Sequence, residues 1–496
     1  MPLIALSEDL FVGKPCEALR RHAGEMVRAA VEAADPAAAV KRFVRRRGNA
    51  LRIGEVSYAL QAIRHIFVVG GGKACAPMAR ALEGILEDRI TSGIVTVKYG
   101  YTLPLERVRL VEAGHPLPDA SGQRAAEAML DLVSSAGKGD LVICLISGGG
   151  SALLPAPVEG VSLEDKVTLT DLLLKFGGTI QEINIIRKHL SRIKGGQLAR
   201  AAAPARVAVL ILSDVVGNPL DAIASGPAVA DPSTFADAME IVARYGLEER
   251  IPQAALRHLR RGAAGAMPET PKPDDPIFSR VHTVLIGSNE LAALATAAKA
   301  KGVGFNTLIL TTFMEGEARE AARVLAAVAK SVRSSGRPLV PPACLIAGGE
   351  TTVTVRGQGK GGRCQEFALA AALAIAGWPE VVVVAFGTDG TDGPTDAAGA
   401  IADGSTLARA RRMGLSPARA LEANGAYPFF SALSDLIITG PTNTNVNDLY
   451  LALVGATPDR RSSTVGGRKD GHRPSGIGPR TVVGRRKPDG RSSIVD

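Results

Sequence analysis

Residues 141–152 read LVICLISGGGSA, and this stretch limits the folds open to the rest of the chain. Six consecutive apolar residues, some of them β-branched, have the length of a strand buried on both faces. Such a strand needs parallel neighbours and helices on each side of its sheet. Three glycines follow at once, and they permit positive φ and a close backbone approach to a ligand. Open α/β sheets bind ligands outside the carboxyl ends of their strands, and turn amides there attract anions. Ser147, Gly148, Gly149, Gly150 and Ser151 are therefore candidates for holding phosphate or carboxylate. A plain strand-to-helix turn is the competing reading.

The same pattern recurs. An apolar run at 66–69 enters Gly70-Gly71-Gly72-Lys73, and a helix over 76–86 follows. Further strands are expected at 94–97, 109–112 and 207–212, with helices at 121–135 and 165–175. A helical stretch over 7–47 precedes them, broken at Asp35-Pro36. After a proline-rich, mixed-charge segment at 263–280, a second unit is expected. It has strands at 284–287, 307–310, 344–347, 351–355, 381–385 and 449–454, with helices at 289–301, 317–334 and 363–376. This alternation predicts an α/β fold with a doubly wound parallel sheet first. The expected boundaries are 1–262 for the first domain, 263–280 for a linker, 281–456 for the second domain and 457–496 for a disordered basic tail.

Charge and cysteine usage narrow the function. The formal net charge is +9, but residues 459–496 hold ten Lys/Arg against four Asp/Glu, so +6 of it sits in the tail. Aromatic residues make up only 4% of the chain, which disfavours stacking platforms for bases. Neither a specific nucleic-acid partner nor a membrane span is expected, since no apolar run reaches about 18 residues. The start of the chain lacks the pattern of a signal peptide. The cysteines, Cys16, Cys75, Cys144, Cys344 and Cys364, are scattered and odd in number, which suits a reducing, cytoplasmic setting.

Lys73 is a compact cation at a turn where a helix N-terminus takes phosphate, suited to a phosphoryl group or a carboxylate. The segment is no Walker A loop, since Ala74 stands where Ser or Thr is needed. Its dinucleotide fingerprint is broken at Cys75, and Lys98 stands where an acid would hold a ribose. Ser213-Asp214 ends a buried strand, where a carboxylate can bind Mg²⁺ or accept a hydroxyl proton; helix capping is the alternative. Asp389, Asp392 and Asp396 lie on a glycine-rich loop suited to a hard cation and a nucleotide, or to a solvated acidic turn. Glu350 and Lys360 flank a strand on glycine-rich loops. Arg187 and Lys188, near Asn184 and His189 on an apolar helix, are suited to a carboxylate. No Ser/His/Asp triad or metal-binding His pair is visible, and a lone His189 or His115 reads as structural.

Together the segments GGGKA, EAGHPLPD, LISGGGSALL, RKHLSRIKGGQLA, LSDVVGNPLDAIASGP, AGGETTVTV, GRCQEFALA and GTDGTDGPTDAAGA resemble the class II glycerate 2-kinases, which carry a C-terminal MOFRL domain. The resemblance runs from Leu6 to Gly455 and leaves out the tail. It implies a large Rossmann-like N-terminal domain, a smaller C-terminal α/β domain with its MOFRL region at about 343–455, and an active site in the cleft between them. It implies ATP-dependent, Mg²⁺-assisted phosphorylation of D-glycerate to 2-phosphoglycerate. Carried over by position, Lys73 and Asp214 would be catalytic. Gly71, Gly72 and residues 147–151, with Arg187 and Lys188, would hold substrate or phosphate. Glu350, Lys360, Asp389 and Asp392 would serve the nucleotide, with Asp214 and Asp389 as metal ligands. An NAD(P)H-dependent hydroxypyruvate reductase and a non-catalytic sugar-acid-binding protein are the alternatives. A homo-oligomer is compatible with the sequence, which does not fix the oligomeric state.

Overall fold

The structure, a computed structural model, describes residues 4–456; the disorder expected of 457–496 lies outside the described residues. Six strands build the first sheet: β1 (Ile66–Gly71), β2 (Ser92–Lys98), β3 (Val108–Ala113), β4 (Leu141–Ile146), β5 (Arg206–Leu212) and β6 (Val281–Gly287). They lie in the order β3-β2-β1-β4-β5-β6, all parallel. The direction of winding reverses between β1 and β4, which opens a crevice at their carboxyl ends.

Alternation along the strands sends side chains to two faces. Val68, Ile143, Leu145 and Leu210 share a core with Cys75, Met78 and Leu82 of the helix Cys75–Leu86. Val69, Val142, Cys144 and Val209 pack with Ala125, Ala126 and Met129 of the helix Ala120–Ser134. Each large aliphatic side chain fully buried this way contributes about 1.5–3 kcal/mol. Asp119 starts the second helix by accepting the Gly122 amide at 2.9 Å.

The second sheet comprises β7 (Asn306–Met314), β8 (Ala343–Gly349), β9 (Val381–Gly387), β10 (Gly399–Asp403), β11 (Leu436–Ile437) and β12 (Asp448–Val454). Its order is β7-β8-β12-β9-β10-β11. Only β7 and β8 pair in parallel; the other neighbours are antiparallel. The helices Ala318–Ser335 and Arg363–Ala374 cover one face. Glu17–Ala34 and Asn289–Gly302 cover the other, in a core continuous with that of the first sheet.

Three expectations change. The strand expected to open the second unit is β6, which instead closes the first sheet against β5. Hydrophobic runs do not say which sheet edge a strand will join, and 263–280 leads back to the sheet just left. Second, the N-terminal helix Glu17–Ala34 packs on the later sheet, where its buried Arg20 donates to Asp403 (Nε to Oδ2, 2.8 Å) and Asp435 (3.0 Å). Third, no strand forms over 351–355; Thr352 makes only an isolated bridge to Glu317. The following chain is fastened elsewhere, with the Arg356 and Gly357 amides donating to the Asn424 side chain at 2.8 and 2.9 Å. Among the described residues no helix is long and apolar enough to cross a membrane.

Candidate active site

The glycine turns after β1 and β4 are stitched together. The Lys73 amide donates to the Gly148 carbonyl at 2.9 Å, and the Ala74 amide to Ser147 Oγ at 3.0 Å. Gly72 has φ +153°, and a Cβ there would lie 2.1 Å from Ser147 Oγ. Gly148 leaves equally little room: a Cβ would come within 1.9 Å of Asp214 Oδ2. Glycine is thus what allows the carboxylate at the end of β5 to lie against this turn. Among the described residues the Gly148 and Gly149 amides have no protein acceptor, whereas Gly150 donates to the Ser147 carbonyl at 3.2 Å. Two free, adjacent donors suit an oxyanion.

Lys73, Gly148 and Asp214 open onto a hollow of about 260 Å³. Its opposite wall belongs to the second sheet's loops, with Asp389, Thr391, Asn443 and Asn445. Burial raises the Asp214 carboxyl above its ordinary range; Lys73 pulls the other way and Glu350 reinforces the rise. Across Gly149 stands His115, pushed down to about 4 by burial and by Lys73 and Lys98, and so neutral at pH 7. A second hollow, about 420 Å³, takes in His115, Gly149, Ser151 and Arg187.

The expected residues divide accordingly. Lys73, Gly148, Asp214 and Asp389 meet in the first hollow, and Gly149, Ser151 and Arg187 line the second. Ser147 and Gly150 are buried supports of the turn, and Gly71 packs on Leu154. Lys188 does not join them. Consecutive helical residues point about 100° apart, and its ammonium is buried between Asp221 (3.0 Å) and Asp231 (3.3 Å). Asp392 also turns inward, accepting the Cys364 and Gln365 amides at 3.1 and 2.8 Å to cap their helix. Burial pushes its carboxyl up to about 7. Lys360 is exposed and lies 4.5 Å from the Tyr427 ring, outside both hollows. Asp396 accepts the Tyr427 hydroxyl at 2.7 Å. Glu350 is not in the wall of the first hollow; it pairs with Arg363 at 2.8 Å, and Arg363 also holds buried Asp448 (Nε to Oδ2, 2.6 Å).

Among the polar groups of the first hollow that the sequence reading leaves out are Lys98, Asn443 and Asn445. Lys98 counted only as a missing acid, although its place at the end of β2 is a signal in itself. The asparagines lie in GPTNTNVND, a turn-rich run between strands that gives notice of a loop but of no particular chemistry. As for a metal, among the described residues no group of three His, Cys, Asp or Glu is placed to hold one. Mg²⁺ commonly arrives on phosphates and keeps waters, needing one or two carboxylates; Asp214 and Asp389, which face one hollow, meet that requirement.

Residues 22–260 match the family described as a domain of unknown function, DUF4147, and residues 343–448 match the MOFRL family. The glycerate 2-kinase of Pyrococcus horikoshii is 44% identical over 430 residues, covering 86% of this chain and 96% of that protein. A protein of Agrobacterium vitis, provisionally named a hydroxypyruvate reductase, is 45% identical over 390 residues, 78% of this chain and 87% of its own. The crystal structure of a glycerate kinase from Thermotoga maritima superposes with a TM-score of 0.80 at 42% identity, over 88% of this chain and all of that one.

Proposed function

The chain belongs to the glycerate 2-kinase family with a MOFRL domain, and on that premise we propose that it transfers the γ-phosphoryl group of ATP to the 2-hydroxyl of D-glycerate. The observation that carries this reading is the meeting of Lys73, Asp214 and the free Gly148 amide in one hollow, opposite Asp389. Phosphoryl transfer demands positioning and charge stabilisation more than covalent chemistry. Asp214 accepts the proton of the 2-hydroxyl as that oxygen bonds to phosphorus. The bond from phosphorus to the β-phosphate oxygen breaks, and ADP leaves. A carboxyl raised above its usual range is better matched to that proton than an ordinary aspartate. Lys73 and the turn amides bear the charge of the transferring group. Mg²⁺ brought by the nucleotide would neutralise phosphate charge; Asp389 is the carboxylate that would hold it, which leaves Asp214 to the hydroxyl proton.

Reduction of hydroxypyruvate is the less favoured reading. The sheet order suits a dinucleotide, but the position where an acid would bind the ribose is Lys98, and it faces the hollow. We place the reaction in the cytoplasm, where five unpaired cysteines are stable. Incubation with ATP, Mg²⁺ and D-glycerate is expected to give ADP and 2-phosphoglycerate, identified by phosphorus NMR. A 3-phosphoglycerate signal would overturn the regiochemistry. NADH oxidation with hydroxypyruvate and no ATP turnover would overturn the kinase.

A further inference from the structure

The second hollow has an uncommon charge pattern. Three cations reach it from three successive elements: Lys166 from the helix Leu163–Lys175, Arg187 from the helix Ile180–His189, and Lys194 from the loop beyond. Among the described residues none of the three is in a salt bridge. Lys166 donates only to the Leu190 carbonyl, at 2.9 Å. Lys194 donates to the Ser151 carbonyl (2.8 Å), to Ser151 Oγ (3.3 Å) and to the Ala224 carbonyl (3.4 Å). Arg187 makes no hydrogen bond to the protein among the described residues, although it is half-buried. The one carboxylate in the wall, Asp171, is exposed and pairs with Lys175 at 2.6 Å. His115 closes the opposite side and is neutral. Lys73 lies just across Gly149.

Buried cations without carboxylates are costly unless something else supplies the negative charge. We propose that Lys166, Arg187 and Lys194 form an oxyanion-binding subsite, separated from Asp214 by the 148–150 turn. It takes either the carboxylate of the acceptor or the phosphate chain of the donor. This rests on the kinase reading above. It adds Lys166, which lies outside the family segments, and Lys194, which lies inside one but takes no role from the resemblance, and it gives the hollow an electrostatic purpose. The groups are fastened for it: Ser151 Oγ bonds Ser225 Oγ at 2.8 Å, and Ser225 donates to Asn184 Oδ1 at 3.0 Å. That chain holds the wall that Lys194 grips. Guanidinium forks match carboxylate and phosphate geometry, so the unpaired Arg187 is the natural first contact.

Proton uptake should accompany binding. In the free protein, burial and Arg187 push Lys166 down to about 7, and burial, Lys166 and Arg187 lower Lys194. A bound anion favours the charged lysines and raises both again. Binding therefore takes up protons above neutrality and weakens as pH rises from 7 to 9. Asp171 and His115 also face this space, and Lys73 lies across Gly149 from it; His115, pushed down to about 4, stays neutral through that window.

Calorimetric titrations of D-glycerate and of a non-hydrolysable ATP analogue into the full chain test this, run in two buffers of different ionisation enthalpy. The expected result is that Arg187→Met and Lys166→Met weaken one of the two ligands about 30-fold or more, and that wild-type binding of that ligand takes up protons. Loss confined to D-glycerate assigns the subsite to the carboxylate; loss confined to the analogue assigns it to phosphate. Arg187→Met should melt like wild type, since its side chain is in no hydrogen bond or ion pair among the described residues, and so reports binding even where Lys166→Met unfolds. Unchanged affinity of both ligands for Arg187→Met overturns the subsite. Failure of wild type to bind either ligand instead overturns the kinase reading.

Discussion

Lys73→Ala lowers phosphoryl-transfer turnover about 10³-fold and leaves the thermal midpoint nearly unchanged. The reason is that side chain and backbone have separate duties here. The bond that joins the two glycine turns comes from the Lys73 amide, which alanine keeps. The ammonium is in no ion pair among the described residues, so its removal costs the fold little. What is lost is the cation facing Asp214 across the first hollow. Lys73 also lowers the proton affinity of Asp214 against the effect of burial. Without it that carboxyl rises further, and the acidic limb of the residual pH–rate profile moves to higher pH. Steady-state kinetics over pH, with melting curves, check both parts. Turnover within a few-fold of wild type would remove Lys73 from the chemistry.

Arg20→Leu destabilises the chain by about 3–5 kcal/mol, the cost of breaking a buried ion pair from one side. Arg20, Asp403 and Asp435 are fully buried, and Arg409 completes the cluster. Leucine strands two carboxylates among fewer cations. Burial alone would raise Asp403, but Arg20, Ser405 and Arg409 more than offset it, so its carboxyl sits below the ordinary 3.8. A depressed carboxylate contributes stability above its unfolded value, which is lost as pH falls through the folded one. In wild type this contribution is therefore present at neutral pH and lost below about pH 4; in Arg20→Leu it is smaller throughout. Denaturant midpoints at pH 7 and at about pH 2, on either side of that loss, measure it. A loss under about 1 kcal/mol at pH 7 would mean that the cluster is no stronger than a surface pair.

Much of the site was legible because its chemistry rides on strand ends. The apolar run 141–146 and its glycines announced a buried parallel strand and a turn, and both Lys73 and Asp214 sit at the ends of strands beside it. What escaped depends on contacts between distant segments. Lys188 is indistinguishable from Arg187 in sequence, yet one helical step turns it into Asp221 and Asp231. Asp389 and Asp392 share a loop, but only the second meets a helix start that needs capping. β6 reads as the first strand of a new unit because local pattern carries no information on which sheet it will join. The lysines of the second hollow look like ordinary surface charge until the packing removes water from around them.

The path of the chain between the two sheets has one more consequence. It begins with a helix on the second sheet, enters the first near Asp35, and returns near Ser288. The halves are thus joined by two chain crossings as well as by the core they share. Any opening of the halves about their shared hollow would therefore have to bend the chain at both crossings, near Asp35 and near Ser288, and not at one alone.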